Sequence, residues 1–224
     1  GELKILIQPL NLEDKIVYTI VENIKNREPT KLIINCLTGS RHIDNSIINQ
    51  ISYYDKIKEE FIHVIDPKPR LFIVGAVHIA QALISLAKTA DFEIILIDPR
   101  DHFATKDRFP NCNIINEWPD TALSNFILDK ATHLVTLTHD PKIDDPALIY
   151  TLKKDIGYIG SLGSKKTHNK RCERLIDIGF SQSDLSKIHG PIGLNIKAKT
   201  PAEIAISIMA EIINFRRSKN EKTQ

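Results

Sequence analysis

Pro69-Arg70-Leu71-Phe72-Ile73-Val74-Gly75-Ala76-Val77-His78-Ile79-Ala80-Gln81-Ala82, running on to Ile94-Ile95-Leu96-Ile97-Asp98, decides the fold. Leu71 to Val74 is a short, uninterrupted apolar run, the pattern of a strand buried on both faces as parallel strands are. It ends at Gly75, where the backbone must turn sharply, and helical spacing of Ile79, Leu83 and Leu86 or Ala87 follows at once. A second apolar run, Glu93 to Ile97, closes on Asp98, about 20 residues beyond Gly75. Strand, turn, helix, strand and acid in this order predict the βαβ unit that opens a dinucleotide-binding fold. Such a unit presents backbone N–H groups and a helix N-terminus to a phosphate. The G-x-G-x-x-G fingerprint is incomplete, however. Val77 stands at the second glycine, where a β-carbon obstructs a pyrophosphate, and Ala80 at the third, where a methyl fits. The stretch specifies the fold better than it specifies NAD.

Downstream the pattern stays regular. Strands are predicted at 71–75, 93–98, 113–116, 132–137 and 156–160, and helices at 78–89, about 119–127, 145–154, 164–178 and 201–215. This alternation means an α/β, doubly wound parallel sheet, Rossmann-like, without internal repeats. The last helix has a clear start: Thr200 caps, Pro201 takes the first helical position and Glu203 completes a capping box. Its body, Ile204 to Ile213, is apolar nearly all round, which predicts burial on two sides, against the sheet and first domain or in a subunit interface.

Upstream, Leu3, Ile5 and Ile7 alternate with Lys4, Leu6 and Gln8 as a half-buried strand stopped by Pro9. Leu12, Ile16, Ile20 and Ile24 predict an amphipathic helix with Asn11 as N-cap and Asp14 in its first turn. Leu32–Cys36 and Phe61–Ile65 read as strands, and Leu37 to Glu60 carries no usable period. Asp66-Pro67-Lys68-Pro69 is a stiff spacer in which neither proline can donate to a ladder. The expected organisation is a small α+β domain at 1–66, the Rossmann-like domain at 70–216 and a flexible tail at 217–224. Gly1 stands directly before a strand-like run, so an upstream portion is expected to be missing.

The 224 residues, 42% hydrophobic and 26% charged, have the composition of a globular protein with a sizeable core. A net charge of +2 gives no case for nucleic acid, and Arg216-Arg217-Ser218-Lys219 reads as a solvated helix end. Cys36, Cys112 and Cys172 are odd in number and far apart, which argues for a reducing compartment and against zinc or disulfide frameworks. No apolar run is long enough to span a membrane and no signal peptide is visible, so a cytoplasmic location is expected.

In an open parallel sheet, ligands bind at the carboxyl ends of the strands. That rule selects Gly75 and His78 after the first strand, Asp98, Arg100 and His102 after the second, and Thr138, His139 and Asp140 after the fourth. After the fifth comes Gly160-Ser161-Leu162-Gly163-Ser164, then Lys165 and Lys166. Two glycines and two hydroxyls before a helix start make this loop a better anion cradle than the Gly75 turn. Ser164 reads equally as a plain N-cap. His78 reads as a ligand contact or a surface residue, and His139-Asp140 as a general-base pair or as unpaired loop neighbours. Asp98 reads as the acid for ribose hydroxyls or as a turn residue before Pro99. No nucleophile elbow, H-E-x-x-H or paired carboxylates occur.

These residues resemble the C-terminal domain of the XdhC/CoxI family. The likeness is carried by Gly75–Gln81, Asp98-Pro99-Arg100, Arg108-Phe109-Pro110, Leu137–Asp140, Tyr158–Ser164, His189-Gly190-Pro191-Ile192-Gly193-Leu194 and Thr200–Ala205, over roughly 60–216. The resemblance implies a dimeric, cytoplasmic accessory factor of xanthine dehydrogenase and related molybdoenzymes, a chaperone rather than a dehydrogenase. Such a factor holds the molybdenum cofactor (molybdopterin), favours its sulfuration with a cysteine desulfurase and delivers it to the apo-enzyme. The pterin phosphate is expected near Gly75 or Gly160–Ser164, steadied by Lys165 or Arg100. NAD(P)-dependent oxidoreduction and a partner-binding domain without ligand are the alternatives. Val77 departs from the family's second glycine, and Asn195 and Lys197 from its usual Asp and Gly. Glu2–Ile7 resembles the strand after the family's Cys-Gly-Gly motif, whose cysteine, implied to contact the molybdenum site, is absent. A fragment, a split gene product or a degenerate paralogue each fits that absence.

Overall fold

The structure, a computed structural model, describes residues 5–9, 11, 13–44, 46, 51–110 and 112–221. Lys68–Lys219 forms one compact unit, and Gly1–Pro67 belongs to another.

In the N-terminal unit, α1 (Lys15–Lys25) precedes β1 (Thr30–Asn35), β2 (Arg41–Asp44), β3 (Tyr53–Asp55) and β4 (Glu60–Ile65). The strands form an antiparallel sheet in the order β2-β1-β4-β3. β1 buries Thr30, Leu32 and Ile34 and leaves the alternate residues half-exposed, the burial period of a one-sided sheet. β2 and β3 lie in the stretch without sequence period, because short edge strands of mixed polarity carry no alternation to read. α1 starts later than its spacing predicts. Asp14, not Asn11, is the N-cap: its Oδ1 accepts from the Ile16 N–H at 2.9 Å while Oδ2 holds Arg41 Nη2. Asn11 instead accepts from the Glu13 N–H. Residues 5–9 do not form the expected strand: Ile5 and Ile7 are 72% and 86% exposed, with no ladder partner among the described residues. Leu3, Lys4 and Leu12 lie outside the described residues.

The larger unit runs β5 (Arg70–Val74), α2 (His78–Thr89), β6 (Glu93–Ile97), β7 (Asn113–Ile115), α3 (Pro119–Ser124), β8 (Thr132–Thr136), α4 (Pro141–Leu152), β9 (Tyr158–Ser161), α5 (Lys165–Asp177), α6 (Gln182–Leu185), β10 (Ile188–His189) and α7 (Pro201–Glu221). Its six strands are parallel in the order β10-β9-β8-β5-β6-β7. Alternate residues of β5 feed two cores. Leu71 and Ile73 pack with Leu83, Ala87, Ala205, Ile208 and Ile212 from α2 and α7. Phe72 and Val74 pack with Ala122, Leu148 and Leu175 from α3, α4 and α5. The sheet is therefore covered on both faces, as a doubly wound topology requires.

β10 and α6 are too short to leave a period in the sequence. α4 begins at Pro141 rather than 145, since Asp140 caps it and Pro146 is accommodated inside the helix. α7 continues through 217–221, where the sequence predicts a flexible tail. Its burial is one-sided within this unit: Ala205, Ile208, Met209 and Ile212 are buried, whereas Ile206 and Ile213 are exposed. Its Thr200–Glu203 capping box forms as expected, with both reciprocal bonds present. Further along, Glu211 accepts from the Tyr158 hydroxyl at 2.9 Å, from His189 Nδ1 at 2.9 Å and from the Gly193 N–H, tying β9, β10 and the following loop to α7.

His133 in β8 is 1% exposed, with Nδ1 3.2 Å from the Arg70 carbonyl oxygen and its ring against the Phe92 edge. Burial lowers its pKa to about 4. A depressed histidine leaves stability intact above the unfolded value near 6.5 and erodes it as pH falls toward the folded value. Urea melts from pH 7.5 to 4.5 should lose about 2.5 kcal/mol more in the wild type than in His133→Asn, which keeps a donor for Arg70 without a titrating ring. Parallel profiles would refute the assignment.

Candidate functional site

β5 lies between β6 and β8, so the chain reverses direction across the sheet at this point, where open α/β sheets take their ligands. Here that crevice is closed by the protein itself. Gly75 has φ +111°, and a Cβ placed on it would lie 2.5 Å from Thr138 Cγ2. The Ala76 N–H, which the dinucleotide reading offers to a phosphate, donates instead to Asp98 Oδ2 at 2.8 Å. Arg100 completes the clasp, donating to Asp98 Oδ1 from its N–H (3.0 Å) and Nε (2.9 Å) and to Oδ2 from Nη2 (2.8 Å). Asp98 is fully buried, and burial alone raises its pKa. The bonds from Arg100 and Ala76 more than offset that, and the carboxyl is held below its ordinary value. Arg100 also lies over the Phe103 ring at 4.4 Å. Asp98 and Arg100 thus satisfy each other. Val77 packs, partly buried, on the α2–α7 core.

At the end of β8, Thr138, His139 and Asp140 do not form a general-base pair. Asp140 caps α4, accepting from the Lys142 N–H at 2.9 Å. His139 is exposed and adopts φ +63°. The turn is pinned by Asp144, which no motif in the sequence singles out. Its Oδ1 accepts from Thr138 Oγ1 at 2.7 Å and its Oδ2 from the His139 N–H at 3.1 Å. Asp144 is 1% exposed, and burial pushes its carboxyl above the ordinary value.

The loop after β9 is not an open cradle. Gly160 and Ser161 belong to the strand, the Ser161 hydroxyl is bonded to Thr136 Oγ1, and Ile192 fills the space beside Gly160. Gly163 (φ +146°) turns the chain against Thr167, and Ser164 caps α5 through the Thr167 N–H at 3.1 Å. Lys165 and Lys166 occupy the exposed first turn of α5. His78 and His102 are exposed, the latter beside Asp101. The candidates therefore do not converge on one point: Gly75, Asp98 and Arg100 form one group, and His139 and Lys166 face another.

That second group lines a cleft of about 350 Å³ between α4 and α5, with Asp144, Thr167, Lys170 and Arg171 among its other walls. Arg171 is the unexpected member. It is 2% exposed and donates from Nη2 to the Leu162 carbonyl at 2.9 Å, but Nε and Nη1 are buried without a hydrogen-bond partner among the described residues. A signal was present: His168, Arg171 and Leu175 share the helix stripe that faces inward, so a charged residue sits where an apolar one belongs. Among the described residues no group of three His, Cys, Asp or Glu side chains converges to hold a metal, and the three cysteines are free. Nor is any helix among them long and apolar enough to cross a membrane.

Residues 71–212 match the profile of the XdhC Rossmann domain. The chain is 33% identical over 168 residues to a probable xanthine dehydrogenase subunit of Bacillus subtilis (strain 168), covering 75% of this chain and 49% of that protein. It is 28% identical over 155 residues to the molybdenum cofactor insertion chaperone PaoD of Escherichia coli (strain K12), covering 69% and 42%. The crystal structure of a xanthine dehydrogenase from Bacillus halodurans superposes with a TM-score of 0.74 at 26% identity, covering 94% of this chain and 69% of that one. The chain therefore spans about half the length, or less, of these curated relatives.

Asp98→Asn should cost about 2–3 kcal/mol at pH 7, since it removes the charge that Arg100 and the Ala76 N–H share. Because the folded carboxyl is depressed, its contribution is present above the unfolded value near 4 and is lost as pH falls below it. Chemical denaturation at pH 7 and pH 3 should show a smaller penalty at the second than at the first. An equal penalty at both would show that shape, not charge, holds the clasp.

Proposed function

Because the chain belongs to the XdhC family through its Rossmann domain, we propose that it is an accessory protein that holds the molybdenum cofactor for insertion into a xanthine dehydrogenase-type enzyme. A cysteine desulfurase acts on the held cofactor in this reading. The observation that carries it is the clasp at Asp98. A domain with the strand order of a dinucleotide-binding fold has its own carboxylate on the Ala76 N–H, so a pyrophosphate there would meet a buried negative charge. The fold is retained while the nucleotide seat is closed, which favours a carrier over an NAD(P)-dependent oxidoreductase.

The donors outside the clasp fit the anionic end of such a cargo. Lys166, Lys170 and Arg171 bring cations to one cleft, and Arg171 has N–H groups without acceptors among the described residues. In this reading the chain grips the cofactor by its phosphate end.

Two measurements test the reading. Purified chain mixed with cofactor released from a molybdoenzyme should co-elute with it on gel filtration, scored by the fluorescence of the oxidised pterin. NAD or NADP titrated calorimetrically should bind more weakly than about 1 mM. Pterin absent from the protein peak, with micromolar nucleotide binding, would replace this proposal by the oxidoreductase. We also propose a homodimer that covers Ile206 and Ile213 of α7. Light scattering at tens of micromolar should give twice the chain mass, and Ile206→Lys with Ile213→Lys should halve it; a wild-type monomer would end that claim.

A further inference from the structure

We infer that the α4–α5 cleft is a seat for a phosphomonoester and that Arg171 is its buried anchor. This deepens the cofactor reading, in which the ester is the cofactor's own phosphate, but it stands on separate observations. A guanidinium carries five N–H donors in a planar fork. Arg171 engages the Leu162 carbonyl through Nη2, while Nε and Nη1 are buried with no hydrogen-bond partner among the described residues. A buried cation with open donors is costly, and burial lowers its pKa against the opposing charges of Asp144 and Asp145. The described residues offer these groups no acceptor, and a tetrahedral oxyanion entering the cleft that Arg171 lines matches the fork in shape and charge.

The surroundings agree. Lys166 and Lys170, four residues apart on α5, project on the same helix face as Thr167, and all three line the cleft. Arg174 is neutralised by Asp145 through bonds of 2.7 and 2.9 Å, which leaves two lysines and Arg171 facing one acid, Asp144. Asp144 already accepts from Thr138 and from the His139 N–H, and burial raises its pKa, so it opposes an incoming anion less than a free carboxylate does. The volume, about 350 Å³, is at the small end of ligand pockets and exceeds what inorganic phosphate alone fills. The cleft therefore suits a phosphate with an organic substituent.

The competing seats are filled. Asp98 occupies the turn after β5, and the loop after β9 has committed its serines to Thr136 and to the α5 cap. The anion site moves one helical turn further, from the loop onto the side chains of α5.

The test is nuclear magnetic resonance on the full chain, reading the Arg171 Nε–H resonance. Its assignment comes from loss of the signal in Arg171→Lys or, if that variant does not fold, from through-bond experiments on the wild type. Inorganic phosphate titrated at constant ionic strength should give a saturable shift with Kd on the order of 1–10 mM, and phenyl phosphate a tighter one. Lys166→Ala combined with Lys170→Ala, both exposed positions, should weaken either ligand about tenfold while the resonance stays in place. No saturable shift at Arg171, a shift confined to the lysines, or inorganic phosphate binding with the ester excluded would each overturn the inference. Cofactor co-elution without phosphate binding here would move the anion seat and leave the carrier reading standing. Phosphate binding without co-elution would do the reverse.

Discussion

A buried carboxylate with four donors on it organises the larger unit. Asp98 directly follows β6, and through its two oxygens it holds the Ala76 N–H of the turn after β5 and three N–H groups of Arg100. An ionised group with no solvent exposure is expensive unless its lone pairs are met, and here they are met by neighbours in sequence and space. Its position fixes the turn, the approach of Thr138 to Gly75 and the loop that carries Phe103. Because the same atoms are the ones a dinucleotide site would spend on its ligand, structural satisfaction and nucleotide recognition compete for one set of hydrogen bonds. In this chain structure wins.

The opposite edge of the sheet depends on a second carboxylate. Glu211, midway along α7, gathers Tyr158, His189 and Gly193. β10 pairs with β9 over only Ile188 and His189, too short a ladder to secure an edge by itself. The aromatic contacts of Tyr158, His189 and Phe215 and the bonds to Glu211 supply what the ladder lacks. α7 therefore acts as a clamp for the edge as well as a cover for one face.

Much of this is legible in the sequence, for reasons that differ by element. β5 and β6 announce themselves because burial on both faces writes unbroken apolar runs. The Thr200–Glu203 box is local chemistry and can be read from its letters. The edge strands β2, β3 and β10 are not legible, since their pairing is decided by partners distant in sequence. At the site, residue types are visible but their commitments are not. Asp98, Ser161, Ser164 and Asp140 all look like ligand groups on paper, and each proves to be bonded within the chain. Arg171 shows the converse: the helix stripe it shares with His168 and Leu175 hints at burial, and its depth in the structure gives that hint meaning. Val77 reads as an obstruction from its position in a motif, whereas its side chain turns toward the core.

His139 bears on how relatives of this chain are to be compared. With φ at +63° it occupies a region that disfavours most side chains and suits glycine, asparagine and aspartate. Selection at such a position acts first on the backbone and only then on the imidazole. A relative with asparagine or glycine there has kept the turn that Asp144 pins. Its difference from histidine is a synonym in the language of conformation and says nothing about lost acid–base chemistry.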